Sequence, residues 1–153
     1  MTKNQPRSQI RSENNAKDDS NDPQPPMRGR CLCGAVSYRV QGVLRPVWDC
    51  HCVRCRRWTG HHIAATGCDR ERIRILGDEA LRWHHPEEYP QVAYGFCVRC
   101  GSSLFWTVVG SDTISICAGT LEPPTGLHTQ YALFTEDASD YHTLNLDIPP
   151  LPR

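Results

Sequence analysis

Residues Phe96–Phe105 read FCVRCGSSLF, and the fold is decided there. A tight turn between two cysteines spaced Cys-x-x-Cys brings both sulfurs within about 2.3 Å of one Zn²⁺. Gly101, just after the second cysteine, lets that turn enter a positive-φ conformation that most side chains disfavour. On the two sides Gln91–Phe96 (QVAYGF) and Ser103–Val109 (SLFWTVV) have strand character. The stretch therefore reads as a zinc-ribbon knuckle between two strands.

Two further clusters share this character. One is Cys31-Leu32-Cys33 followed by Gly34, and the other is Cys50-His51-Cys52-Val53-Arg54-Cys55. Together the three clusters hold seven of the nine cysteines. A structural zinc takes four closed ligands, whereas a catalytic zinc often has three and an open position, so seven divides as four plus three. Spacing alone permits several groupings. The tidiest keeps the contiguous Cys50, Cys52 and Cys55 together, which leaves Cys31 and Cys33 to join Cys97 and Cys100. Two zinc ions against seven thiolates leave a negative balance that Arg30, Arg54, Arg56, Arg57 and Arg99 can offset without any substrate.

Alternatives stay open at this point. Both zincs can be purely structural, and the three-cysteine group can be closed by His51, His61 or His62. His51 is wedged between two ligands, so its ring is expected to point away from their metal. His84, His85, His128 and His142 read as ordinary hydrogen-bonded side chains. Cys68 and Cys117 read as small core residues.

The chain has 153 residues, which suggests one domain. Lys+Arg and Asp+Glu both number 17. This zero balance argues against nucleic acid or an acidic membrane as partner, since both need a basic surface. No apolar run reaches membrane-spanning length, and the first twenty residues have no apolar signal core. A cytoplasmic compartment follows, in which thiols stay reduced and metal is the first explanation for nine cysteines.

Residues 1–26 are polar and proline-terminated, so they are expected to form a disordered tail. The folded domain is expected over 28–146, with an extended tail over 147–153. Further runs with strand character are Ala35–Val40, Ile63–Thr66, Arg72–Leu76, Ala80–Trp83, Thr113–Ala118 and Tyr131–Phe134. In AVSYRV, Val36, Tyr38 and Val40 fall on the face opposite Ser37 and Arg39. One short helix is expected through Arg54–Gly60. The architecture is mainly β.

The order Gly-x-Cys-x-Cys-Gly-x-Val-x-Tyr (Gly29–Tyr38), Cys-His-Cys-x-x-Cys-Arg-x-x-Thr-Gly (Cys50–Gly60) and Phe-Cys-x-x-Cys-Gly-x-x-Leu (Phe96–Leu104) resembles the glutathione-dependent formaldehyde-activating enzyme family. That family also includes centromere protein V. The resemblance spans roughly 28–146. It implies a β-tent fold of several small coiled antiparallel sheets around zinc, with few or no long helices. It implies a structural zinc on Cys31, Cys33, Cys97 and Cys100, and a second, substrate-accessible zinc on Cys50, Cys52 and Cys55. The implied activity is carbon–sulfur lyase chemistry, joining formaldehyde to glutathione or reversing that step. Many members carry a His and a Lys in the late strand and the loop after it. Here Ala132 and Ala138 stand instead, which suggests a different thiol or aldehyde.

On this reading a substrate thiol binds the open zinc position as thiolate. Arg56 and Arg57 are candidates to pair with its carboxylates. Thr59 and His61 are candidates to hydrogen-bond the adduct oxygen. The rival reading is a non-catalytic, zinc-stabilised module that binds proteins or chromatin.

Overall fold

The structure is a computed structural model and describes residues 25–152. The tail expected over 1–26 lies outside the described residues, except for Pro25 and Pro26. Strands β1 (Met27–Arg30), β2 (Ser37–Val40) and β3 (Val47–Cys50) lead into the short helix α1 (Val53–Thr59). Then follow β4 (Ile63–Asp69), β5 (Ile73–Leu76), β6 (Leu81–His84), β7 (Val92–Cys97), β8 (Ser103–Val108), β9 (Thr113–Cys117) and β10 (Thr129–Leu133). The mainly-β expectation holds, and α1 is the only α-helix among the described residues.

The strands form a three-stranded sheet, β1-β2-β5, and a seven-stranded sheet, β10-β3-β4-β9-β8-β7-β6. The larger sheet narrows to two residue pairs between β8 and β9, Phe105 with Ile116 and Trp106 with Ser115. Every ladder is antiparallel except β10 on β3, which is parallel. Strands so far apart in sequence are not tied by a hairpin, so nothing local imposes the antiparallel sense on them.

The period-2 reading of AVSYRV is realised. Val36, Tyr38 and Val40 are fully buried, while Arg39 faces solvent. Tyr38 meets Phe105 edge to face at 5.2 Å and reaches Thr120 Oγ1 at 2.6 Å. Around them pack Leu104, Ile114, Ile116, Cys68 and Cys97. Each of the large apolar side chains contributes about 2 kcal/mol by leaving water. Gly29 pairs with Tyr38 across β1 and β2. A Cβ there would overlap the Tyr38 ring, so the first residue of the Gly-x-Cys-x-Cys motif is the floor on which that ring lies.

Two turns bring cysteines together from distant parts of the chain. After β1, Cys31 N–H donates to Val36 O at 2.9 Å, closing the first knuckle. Between β7 and β8, Gly101 N–H donates to Cys97 O at 2.8 Å, and Gly101 has the positive φ, 76°, expected of it. The knuckles touch where Leu32 N–H donates to Ser102 Oγ at 3.0 Å.

At the other end of the large sheet, β3 pairs with β4, setting Cys50 opposite Ile63 and Asp49 opposite Ala64. The connection between them is α1. Cys52 caps its start, its sulfur accepting the Cys55 N–H at 3.4 Å, and left-handed Gly60 ends it. The C-terminal tail runs beside β10, where Leu151 N–H donates to Ala132 O at 3.1 Å. Among the described residues no helix is long and apolar enough to cross a membrane.

Candidate metal centres

Each of the three clusters of donor atoms can hold a metal ion. Two are the cysteine groups expected from the sequence: Cys31, Cys33, Cys97 and Cys100, and Cys50, Cys52 and Cys55. The third joins His51, His62 and His142. Within each group all donor atoms lie within 4.8 Å of one another.

The four-cysteine group fits a tetrahedral thiophilic ion. Cys31 and Cys33 Sγ are 3.6 Å apart, and Cys33 and Cys97 Sγ are 3.8 Å apart. Four sulfurs at 2.3 Å from a tetrahedral zinc are separated by about 3.8 Å. All nine cysteines are free thiols, so no disulfide competes for these sulfurs. The surroundings favour thiolate on part of the group. Ser102 donates its hydroxyl and its N–H to Cys100 Sγ and lowers that thiol to about 5. Burial alone would raise Cys31, but the Val36 N–H and the neighbouring thiols bring it below its ordinary value. Cys33 rises to about 11: the Ala35 N–H favours its thiolate, yet desolvation and the adjacent sulfurs outweigh it. One divalent cation lets all of them ionise together.

The three-cysteine group shows the same division. Cys52 accepts from the Cys50 and Cys55 thiols and falls to about 2, whereas donating to Cys52 raises Cys50 to about 11, and donating to Cys50 and then to Cys52 pushes Cys55 up. Cys52 and Cys55 pack with Ile63, Trp58 and Cys117. Among the described residues no fourth ligand atom joins this group. Of the histidines that could have closed it, His51 and His62 belong to the third cluster, and His61 is in none of the three groups. His51 points away from the cysteines, as its position between two of them suggested. Strand alternation is the cause, because Cys50 and Cys52 share one face while Asp49 and His51 share the other.

His142 is not the isolated side chain expected from the sequence. Its ring centroid lies 5.3 Å from that of His51 and 5.2 Å from that of His62. No local spacing links a residue after β10 to one before β4, so the cluster has no signature in the chain. Burial, reinforced by the other histidines and Arg56, lowers His51 to about 4, and burial also lowers His62 despite the nearby Asp49 carboxylate. The His51 and His62 rings are therefore neutral, ligand-competent imidazoles at neutral pH.

The four residues suggested for substrate lie in different surroundings. Arg56 is engaged: its Nε donates to His51 O at 3.3 Å and its Nη1 to Ser139 Oγ at 3.1 Å. Arg57 faces solvent. Thr59 donates to Cys55 O at 3.0 Å and also to His61 O. Thr59 edges a cleft of about 500 Å³ that Trp58, Ile63, Ser102, Cys117 and Thr120 also line. His61 packs against His62 and His142. Of the arginines expected to offset thiolate charge, Arg30 pairs with Glu122 at 3.6 Å and Arg99 with Glu79 at 3.5 Å, while Arg54 lies over the Tyr89 ring.

A small mainly-β chain whose turns gather cysteines into two metal-competent groups defines a class of metal-binding domain. The chain belongs to the glutathione-dependent formaldehyde-activating enzyme family, whose model matches residues 26–137. It is also similar to a crystal structure of a Rhodobacter sphaeroides protein, at 25% identity and a TM-score of 0.53. That similarity covers 63% of this chain and 89% of the other. No curated protein sequence matches the chain.

Proposed function

We propose that this chain is a zinc-dependent enzyme of the carbon–sulfur lyase type, making or breaking an adduct between a glutathione-like thiol and a small aldehyde. The observation that carries the reading is the three-sulfur group, which has no fourth ligand among the described residues. Cys31, Cys33, Cys97 and Cys100 would hold a structural zinc. Cys50, Cys52 and Cys55 would hold the second. The donor sets suit zinc, since soft thiolates select it over calcium or magnesium.

Zinc with three thiolates supplies one thing, a position where a fourth, substrate thiol loses its proton. The remaining work falls to the protein. In the synthetic direction a sulfur lone pair forms the carbon–sulfur bond, the carbonyl π pair moves to oxygen, and that oxygen gains a proton. The thiol proton leaves to solvent. We assign Thr59, on the edge of the cleft, and His61 to hydrogen-bonding that oxygen. The free guanidinium of Arg57 pairs with a substrate carboxylate. Arg56, already bonded to His51 and Ser139, acts as a positioning residue. A reducing, cytoplasmic setting keeps the seven thiols available.

Cys52→Ser tests the reading. The expected variant stays folded, holds one zinc fewer and loses adduct turnover with a panel of thiols and aldehydes. If the wild type itself forms no adduct faster than the uncatalysed background, the catalytic reading falls. The chain is then a zinc-stabilised binding module.

A further inference from the structure

We propose that His51, His62 and His142, oriented by Asp49, form a third metal site, for a borderline divalent cation such as Zn²⁺. It uses none of the cysteines and lies on the opposite face of β3 from Cys50 and Cys52. The three histidines come from three separate places: just after β3, just before β4 and the segment after β10. Their ring centroids form a nearly regular triangle with sides of 4.8, 5.2 and 5.3 Å. Their donor nitrogens converge within 4.8 Å.

Ring packing alone does not account for the cluster. Among the described residues two buried side-chain polar atoms have no hydrogen-bond partner, Asp49 Oδ1 and His62 Nδ1, and both belong to this group. Buried polar atoms are paired as a rule, and an unpaired pair at one place calls for a missing ligand. His62 Nε2 faces Asp49 Oδ2 at 4.0 Å, so the unpartnered nitrogen is the one turned from the carboxylate. At 4.0 Å the two make no hydrogen bond, but the carboxylate stands beside one nitrogen with the other free, and a small approach gives the carboxylate–imidazole pair that orients a ligating histidine. A cavity of about 270 Å³, lined also by Thr135 and Asn145, adjoins the histidines and has room for water as a further ligand. Three imidazoles suit zinc, cobalt, nickel or copper rather than calcium or magnesium.

The site has a structural consequence. His142 lies on the segment that Arg56 already ties down through Ser139. A metal shared by His142, His51 and His62 staples this segment onto β3 and β4.

The test is a zinc titration at neutral pH, on protein as purified and on His142→Ala. Wild type is expected to bind one equivalent more than the variant, with micromolar or tighter Kd. Its three imidazole NMR signals shift together as that equivalent binds, which reports on buried His51 without a substitution there. Asp49→Asn, acting through His62, is expected to weaken this equivalent about tenfold or more while the NMR signature persists. The readout is a difference between wild type and variant, so it stands even where the cysteine groups hold fewer ions than proposed. The proposal is overturned if excess Zn²⁺ adds no equivalent over His142→Ala, or if the imidazole signals do not move. Unchanged binding in both His142→Ala and His62→Ala overturns it as well.

Discussion

Replacing Cys97 by serine removes a ligand from the four-cysteine group and should cost the domain a large share of its stability. Cys97 is fully buried, and its sulfur lies against that of Cys33, 64 residues earlier in the chain. A metal bridging them is a cross-link. For a loop of that length the chain-entropy model of cross-links gives about 4 kcal/mol. Domains of this size are stable by only about 5–15 kcal/mol. At roughly 3 °C per kcal/mol the midpoint should fall by roughly 10–15 °C, more if the remaining thiols lose the ion altogether. Thermal melting by circular dichroism, with metal content measured on the same samples, checks this. A Cys97→Ser protein that has lost one zinc yet melts within a few degrees of wild type would refute the cross-link reasoning.

Two glycine substitutions should separate steric from backbone strain. Gly29→Ala drives a Cβ into the Tyr38 ring and is expected to lose about 2 kcal/mol. Gly101→Ala meets no neighbour and suffers only from its positive φ, so about 1 kcal/mol is expected; denaturant midpoints give the order, and the reverse order contradicts it. Cys117 is raised by burial to about 11, so little of it ionises below that pH. Its alkylation by iodoacetamide near neutrality should run about a hundredfold slower than that of a free thiol, and should keep climbing as pH rises through 9 towards 11. A Cys117 rate that levels off at the pH of an ordinary thiol would show that the side chain is not enclosed.

The strands that the sequence revealed are those whose alternation meets the core. In Ala35–Val40 each second residue is apolar, and the same residues are buried, so the period was readable before any tertiary contact was known. β1 escaped because Met27–Arg30 offers a single apolar side chain and a glycine. Its strand state comes from pairing with β2 and from the Tyr38 ring, which are tertiary facts. β3 escaped because Val47–Cys50 carries Asp49 and Cys50, residues taken up with site chemistry that mask a strand signal. The cysteine groups were legible because each clamp is local, with two or three ligands inside one turn. The histidine cluster was not, because its third member arrives from after β10.

The same alternation ties the legible site to the illegible one. In Cys50-His51-Cys52 the sulfurs carry the metal signal, and the residue between them points elsewhere. In a strand, elsewhere is the other face of the same sheet. With Cys50 opposite Ile63, the residues Asp49, His51 and His62 are turned together to the second face. A metal motif written along a strand end therefore presents two chemistries, thiolate on one side and imidazole with carboxylate on the other. Which of them binds depends on what covers each face. Helix α1, with Trp58 and Ile63, covers the sulfurs, while the segment carrying His142 covers the imidazoles. Shifting β3 by one residue against β4 would part His51 from His62 and turn Cys50 away from Ile63, breaking the histidine cluster and stripping the local cysteine group of its apolar cover. The pairing register of this one ladder thus assembles the histidine cluster and sets what covers the second cysteine group.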